Sequence, residues 1–527
     1  MRLHSLRDLD SSDGTVKLHE AGDTGHFVLH PTPNPLDPND PLRWPRWKKH
    51  VAFGSVCAFT FLGNFAIGGL APAFYTLSIE FNKSQSETSG LLLWPILVLG
   101  AFNFFWVPMA NYFGKRPIFV FASLLLSLCY LWGAVADTFE SLLWSNIIAA
   151  FAASSTEALG ASIVNDLYFL HERANLMGVY MNFISGGNTI GPLICGFIVQ
   201  SVSWRWHKWL AFILTAINFL AVLLLVPETR YDRTGTDDAL PSASASSSSL
   251  KNNSDEEGAA MEKTISARGK EMKTNSSAEA KPKKTYREQL SLWTGVPKDT
   301  NLLKLFLRPF PLIVYPAVAF SFLGYAVSLA WVVAINILNP FLLQVAPYNF
   351  GPSIVGLINI PGLLGNLFGA WAGGWLVDRY SDRYSKRHGG VFQPESRLHL
   401  LWIPTLIVPA GCLAFGYGGQ LGLHWTSLFF GYGMVAVGLT FVPVATMTYA
   451  SDCYLPVNAD ALLLVNGLKN IVAFGFLWGV DAWAQTGYVN SFGTQAGIYV
   501  AILALAIPLI LFGEKIRHRT AQWRIIL

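Results

Sequence analysis

The sequence predicts an all-α membrane protein, with twelve transmembrane helices arranged as two pseudo-symmetric bundles of six. Three observations predict it. The chain is 52% hydrophobic and only 13% charged, where a soluble globular chain carries about a quarter charged residues. Its apolar residues fall in long blocks, as suits a bilayer core about 30 Å thick that needs about 20 apolar residues per helix. The blocks form two sets of six, separated by a polar interruption. The 18 Trp and 36 Phe fit an apolar solvent edged by aromatic belts.

A tail at 1–49 leads to the first bundle at 50–228, with spans expected near 50–73, 90–111, 117–136, 141–165, 176–200 and 208–227. No short basic-then-apolar leader precedes it, so the first span is expected to act as the insertion signal. A second bundle at 309–514 holds spans near 309–339, 353–377, 399–418, 425–449, 461–486 and 495–514, and a short tail covers 515–527. Between the bundles, residues 229–308 are different material. Ser242–Ser249 is nearly all Ser, and the stretch through Lys284 is charged with few large apolar residues. Such a segment buries too little surface to fold and is expected to be a disordered linker. Apolar residues return from Tyr286 to Phe306, either as an amphipathic helix on the membrane face or as a loose approach to span 7.

Orientation follows from Lys and Arg in the short loops. Arg43, Arg46, Lys48 and Lys49 precede span 1, Lys115 and Arg116 follow span 2, Arg379, Arg383, Lys386, Arg387 and Arg397 follow span 8, and Lys515, Arg517 and Arg519 follow span 12. Twelve spans put all of these on one side, whereas the loops after spans 7, 9 and 11 hold no Lys or Arg. Both termini are therefore expected in the cytoplasm of a plasma-membrane protein. The segment Ser201–Lys208, with Arg205 and Lys208, dissents. The same topology makes Asn82, in the sequon Asn82-Lys83-Ser84, an external glycosylation site, with Asn252 and Asn275 cytoplasmic and unmodified. Cys57, Cys129, Cys195, Cys412 and Cys453 lie in or at the end of apolar blocks and read as reduced packing residues without metal spacing.

Specific residues then carry a resemblance. Span 5 holds Gly178, Gly187, Gly191, Pro192, Cys195 and Gly196. Their spacing resembles the antiporter motif of the major facilitator superfamily, with Cys195 where the family has Gly. Small residues at such spacing let helices pack closely, and the proline bends the helix; generic Gly-rich packing is the rival reading. The loop from Val107 to Arg116, with Asn111, Gly114, Lys115 and Arg116, is similar to the family's signature between spans 2 and 3, Val107, Asn111 and Tyr112 standing for its Gly, Asp and Arg. Its counterpart after span 8 keeps Gly374, Asp378 and Arg379. The resemblance implies that these loops latch the halves in one conformation, Asp378 taking the share that uncharged Asn111 gives up; the rival is that their basic residues serve topology alone. Asn34–Pro45, Glu157–Gly160 and Asp166–Arg173 resemble the fungal twelve-spanner drug:proton antiporters. That branch's Arg in span 4 falls near Asn146 and is missing.

An ionisable residue inside a span is expensive and marks function by default. Glu157 sits well inside span 4, with Ala150, Ala153, Ser154, Gly160 and Ala161 on its face at helical spacing, which leaves room for a solute or water. It is the candidate for proton coupling, cation binding or both; the rival is a structural Glu bonded to a neighbouring helix. The resemblance implies a cavity lined by spans 1, 4, 7 and 10, with Thr60, Asn64, Ser154, Ser321, Tyr325, Ser328, Tyr432 and Thr440 as solute contacts, although Ser and Thr often bond only their own helix. Lys469, near the start of span 11, is expected to snorkel to the inner surface, and Asp481 to reach water.

No phosphate-binding Gly-x-x-x-x-Gly-Lys-Ser/Thr loop is present, which argues against ATP-driven pumping. His26 and His30 read as part of a solvated tail. The expected partners are a small-molecule solute, protons and the lipid bilayer, with no cofactor, metal or nucleic acid, no enzymatic site, and a monomer as the working unit. These readings add up to a proton-coupled secondary transporter, more in the sense of efflux, for a small amphipathic or cationic organic solute. Proton-driven uptake of an organic cation such as a polyamine, and a non-transporting nutrient sensor, are the alternatives.

Overall fold

The computed structural model describes residues 37–168, 170–229, 285–291, 302–387, 393–454 and 457–521. Twelve helices in it are long and apolar enough to cross a membrane: α1 (Arg46–Glu80), α2 (Gln85–Phe113), α3 (Lys115–Ala134), α4 (Phe139–Val164), α5 (Leu176–Ser201) and α6 (Trp204–Leu225), then α7 (Pro316–Leu343), α8 (Pro352–Arg387), α9 (Pro394–Leu421), α10 (Thr426–Cys453), α11 (Ala459–Gln485) and α12 (Tyr488–Arg517). Among the described residues every regular element is helical. Most of the expected linker, and His26, His30, Asn252 and Asn275, lie outside the described residues.

Local chemistry fixes the helix ends. Ser84 and Glu87 close a capping box at the start of α2, the Glu87 N–H reaching Ser84 Oγ at 3.2 Å and the Ser84 N–H reaching Glu87 Oε2 at 2.9 Å, which satisfies two donors that a helix start leaves open. Gly114, at φ 104, makes the sharp turn into α3, a conformation only glycine adopts readily. The first helix is not uniform. Its α-helical part ends at Ile67, tightens into a 3-10 stretch over Gly68–Ala73 around Pro72, and resumes through Glu80, longer than the apolar block alone indicates. Residues just before α1 also depart from a solvated tail. Asp40 Oδ1 caps a turn by accepting from the Leu42 N–H at 3.0 Å, Lys49 Nζ donates to the Leu42 carbonyl at 2.8 Å, and Leu42 is buried.

In the first bundle α1 packs on α4, α5 and α6, α3 on α4 and α6, and α2 on α4; in the second α7 packs on α10 and α11, α8 on α10, and α9 on α10 and α12. Burial separates core from rim. The apolar windows of α7 and α10 are 83% and 78% buried, those of α6 and α12 only 28% and 33%. Ile213, Ile217, Leu220 and Leu224 of α6 and Ile507 and Leu511 of α12 stand exposed, a continuous apolar rim that water would penalise and lipid tails accept.

The halves meet along α2–α11 and α5–α8. Close approach depends on missing side chains. A Cβ on Gly100 would stand 2.8 Å from the Gly467 carbonyl oxygen and from Asn470 Cβ, and one on Gly196 would stand 3.0 Å from Gly356 Cα. One end of the bundle carries the basic loops. At the other, far end, Gln85 Nε2 and Ser89 Oγ donate to Asp481 at 2.9 and 3.0 Å, Gln344 Nε2 donates to the Pro72 carbonyl at 3.0 Å, and the Ser353 N–H donates to Gln200 Oε1 at 3.1 Å. Asp481, expected to reach water, is instead a tether between α2 and α11.

The amphipathic helix expected at 286–306 is described only at its ends, as short helices at Tyr286–Gln289 and Leu302–Leu307. The Tyr286 hydroxyl donates to the Leu224 carbonyl and Lys48 Nζ donates to Gln289 Oε1, so the first of these is held on the first bundle.

Candidate solute and coupling site

Between the two bundles lies a narrow cavity, with about 50 Å³ open to the centre of a water-sized sphere. Both halves build its wall, through α1, α2, α4 and α5 on one side and α7, α10 and α11 on the other. Leu92, Ile96, Met181, Leu329, Val333 and Leu439 make it mostly apolar, and Asn64, Asn188, Asn336, Thr440 and Tyr325 interrupt that surface with polar groups. A mainly apolar wall with a few placed polar groups is the usual make-up of a small-molecule site.

Two charges face each other in this wall. Glu157 of α4 is 5% exposed and Lys469 of α11 is 2% exposed, with Lys469 Nζ 3.6 Å from Glu157 Oε2. The separation exceeds a hydrogen bond, yet two opposite charges this close in a low dielectric attract strongly, and each is costly without the other. Asn470 Nδ2 donates to Glu157 Oε2 at 3.0 Å, and Lys469 Nζ donates to the Tyr325 hydroxyl at 3.1 Å while lying 4.3 Å from the centre of that ring. The acid belongs to the first half; its cation and its amide partner belong to the second.

The sequence reading of Lys469 is thereby corrected. It does not snorkel to a surface, because α11 begins near residue 459 and about ten residues of helix, roughly 15 Å of rise, carry Lys469 into the middle of the bundle. A signal was available: Asn466, Lys469 and Asn470 fall at i, i+3 and i+4, one polar stripe on an otherwise apolar helix.

Of the eight expected solute contacts, Asn64, Tyr325 and Thr440 line the cavity and five do not. Thr60 Oγ1 donates to the Val56 carbonyl, Ser154 Oγ to Phe151, Ser328 Oγ to Gly324, and Ser321 Oγ to both Ala317 and Thr446. These hydroxyls satisfy themselves on nearby backbone. Tyr432 is buried against α8, where its hydroxyl donates to Asn359 Oδ1 at 3.2 Å. Wall residues that the sequence did not single out include Asn188, whose Nδ2 donates to Asn64 Oδ1 at 3.3 Å, and Asn336.

The glycines of α5 behave unequally. A Cβ on Gly187 would meet Asn64 Cβ at 2.9 Å, one on Gly191 would meet Gly69 Cα at 3.0 Å, and Gly196 holds the contact with α8, beside Pro192 and the buried Cys195. Gly178 has nothing within 4 Å and takes no part in close packing. In α8 a Cβ on Gly374 would meet nothing within 4 Å, whereas one on Gly373 would meet Phe441 Cα at 2.9 Å.

At the basic end, Lys115 Nζ pairs with Asp166 Oδ2 at 2.5 Å, and Glu228 accepts from the N–H groups of Lys115 and Arg116, both at 3.1 Å, a carboxylate placed where the helix dipole of α3 is positive. Arg116 donates to the Leu223 carbonyl at 2.8 Å. Asn111 is exposed and makes no hydrogen bond among the described residues. In the second half Asp378 pairs with Arg397, whose Nε also reaches Asp452 Oδ2 at 2.6 Å. Arg379 instead lies over the Trp375 ring at 5.2 Å.

A second buried lysine sits away from the cavity. Lys208 of α6 is fully buried, its Nζ 2.6 Å from Asn146 Oδ1 and 3.3 Å from the Ala66 carbonyl oxygen. It is not a loop charge, and Arg205 is paired with Glu80 at 3.0 Å, so the segment Ser201–Lys208 presents neither as an unpaired surface cation. Lys208 thus brings a cation from α6 against Asn146 of α4.

A family-level comparison matches residues 55–454 to the Major Facilitator Superfamily. The chain belongs to this superfamily. It is 26% identical to an uncharacterised MFS-type transporter of Schizosaccharomyces pombe, covering 94% of this chain and 89% of that one. It is 25% identical to Protein HOL1 of Saccharomyces cerevisiae, covering 94% and 91%, and 23% identical to the efflux pump radE of Floropilus chiversii, covering 92% and 84%. Among solved structures it superposes on a peptide transporter POT with a TM-score of 0.56 at 14% identity, covering 88% of this chain and 95% of that one, a likeness of fold.

Proposed function

We propose that this superfamily member is a proton-coupled secondary transporter that moves a small amphipathic or cationic organic solute by alternating access, in the sense of efflux. The observation that carries the reading is the pairing of Glu157 and Lys469 across the two halves inside the cavity wall. A charge pair whose members ride on different bundles must be remade or broken whenever the bundles rock. Whatever neutralises one member, a proton or a solute charge, shifts the balance between the two conformations. The apolar lining and the Tyr325 ring suit a solute with an apolar body and a positive group. Gly187, Gly191, Pro192 and Gly196 bring α5 against α1 and α8 and serve as the pivot; Lys115, Arg116, Asp378 and Arg397 brace each half at the basic end. Efflux is supported by the relative that carries the name efflux pump.

The test is solute flux in proteoliposomes with an imposed pH gradient. Wild-type flux is expected to follow the gradient, and Glu157→Gln, which keeps shape but cannot ionise, is expected to lose the gradient-driven flux. Gradient-driven flux that survives Glu157→Gln unchanged removes Glu157 from the coupling. The orientation has its own check. Asn82 is exposed at the far end with a left-handed φ of 51, and with cytoplasmic termini in a plasma membrane it is expected to carry a glycan that Asn82→Gln abolishes on a mobility gel. A glycan on Asn252 or Asn275 would invert the topology.

A further inference from the structure

We propose that Lys469 is the group that exchanges the proton: a cationic solute seated on Glu157 takes over the carboxylate, and the displaced ammonium releases one proton. The inference rests on the coupling reading above and adds which atom carries the proton. It starts from a charge tally. Glu157 and Lys469 are the charged side chains of the cavity wall, and they cancel. Around Lys469, α4 contributes Glu157 and α7 contributes Tyr325; Tyr180 of α5 lies on the Glu157 side, its hydroxyl occupied by the Thr156 carbonyl at 2.6 Å. The facing positions on α1, α2 and α10, such as Asn64, Ile96 and Thr440, carry no charge.

A cation that enters this wall and pairs with Glu157 leaves one positive charge too many. Two buried cations sharing one carboxylate in an apolar surrounding is an expensive state, and the site relieves it by losing a proton. A permanently charged solute has none to lose. Glu157 serves as the counter-ion of the solute. Lys469 remains. Its surroundings fit either protonation state, because the Tyr325 hydroxyl that accepts from an ammonium at 3.1 Å can turn and donate to a neutral amine. Asn470 meanwhile keeps its hydrogen bond to Glu157 Oε2 and holds the carboxylate in place for the incoming group. The step balances: Lys469 ammonium plus solute cation gives Lys469 amine, a solute–Glu157 ion pair and one proton that leaves to the open side, with zero net charge in the wall before and after. Exchange of one proton for one unit of solute charge is then a property of the pair.

The experiment uses the full chain, purified in detergent without buffer, with a pH indicator, titrated near neutral pH with tetraphenylphosphonium. This probe is amphipathic and permanently charged, so every proton released comes from the protein. Wild type is expected to release one proton per probe bound. Lys469→Met is expected to bind the probe without release. Lys469→Arg, which preserves the pair and guards against a folding defect in the Met variant, is expected to bind less tightly and release nothing, since a guanidinium stays charged. Wild-type binding without release, or undiminished release from a probe-binding Lys469→Arg or Lys469→Met, overturns the proposal and moves the proton to another group. Binding that survives Glu157→Gln, or no binding by wild type, overturns the cation-seat reading itself and this inference with it.

Discussion

Lys208 and Lys469, two of the buried lysines among the described residues, lie one in each half and are held in opposite ways. Lys208 sits inside the first bundle among neutral acceptors, Asn146 Oδ1 at 2.6 Å and the Ala66 carbonyl at 3.3 Å, with the Tyr130 ring 5.3 Å away. Lys469 sits at the seam between bundles, with the Glu157 carboxylate 3.6 Å away on the other half and the Tyr325 ring at 4.3 Å. The partners of Lys208 lie on α1 and α4 of its own bundle, α1 packing on both α4 and α6, so the proposed rocking of the halves leaves them together. In the proposed alternating-access cycle, the partner of Lys469 moves away when the halves separate. A buried charge satisfied within one rigid body is architecture; one satisfied across a moving boundary is a switch. Burial alone does not distinguish the two, and the location of the partner does.

The largest expected effect breaks the comparison at the seam. Glu157→Lys sets two buried cations against each other, and loss of a buried pair costs about 3–5 kcal/mol; flux in proteoliposomes is expected to vanish. The exchanged pair Glu157→Lys with Lys469→Glu restores opposite charges across the boundary and is expected to recover part of the flux. Failure of the exchange to recover any flux, with the protein folded by gel filtration, argues that the polarity of the pair matters and not pairing alone.

The next effect tests the other lysine. Lys208→Met leaves Asn146 Oδ1 and the Ala66 carbonyl without their donor, an orphaning worth about 1–3 kcal/mol. A lowered melting temperature with pH-gradient dependence intact is expected. If Lys208→Met instead uncouples flux from the gradient, the distinction between architecture and switch collapses.

This distinction was only half legible in the sequence. The twelve spans were readable because a bilayer imposes one length on every crossing, and Glu157 was readable because a carboxylate in the middle of an apolar block has few bland explanations. Lys469 and Lys208 were both misplaced towards a surface. Each was judged by its nearness to the start of a span: Lys208 stood at the edge of its block because α6 begins earlier, at Trp204, while Lys469 already stood eight residues into its span, where a snorkelling side chain no longer reaches the surface. The hydroxyls of Thr60, Ser154, Ser321 and Ser328 were overread because helical spacing gives a face but not whether a hydroxyl has turned back onto its own backbone. The partner of Glu157 lies 312 residues along the chain at Lys469, a pairing that no local pattern encodes.

The smallest effect sharpens the comparison at the level of one hydroxyl. Both lysines lie over a tyrosine ring, but the Tyr325 hydroxyl accepts from Lys469 at 3.1 Å, whereas the Tyr130 hydroxyl donates to the Gly63 carbonyl, also at 3.1 Å, and serves α1 instead. Tyr325→Phe keeps the ring and removes a group able to satisfy Lys469 in both of its protonation states, a hydrogen bond worth about 1 kcal/mol. The pH at which flux is half-maximal is expected to move by somewhat under one unit, since one unit corresponds to about 1.4 kcal/mol. Tyr130→Phe loses a hydrogen bond of the same kind, and its cost is expected in the melting temperature, with the pH profile of flux unchanged. Matching pH shifts in the two variants would mean that the ring environments, and not the hydroxyl, set the behaviour of the lysine at the seam.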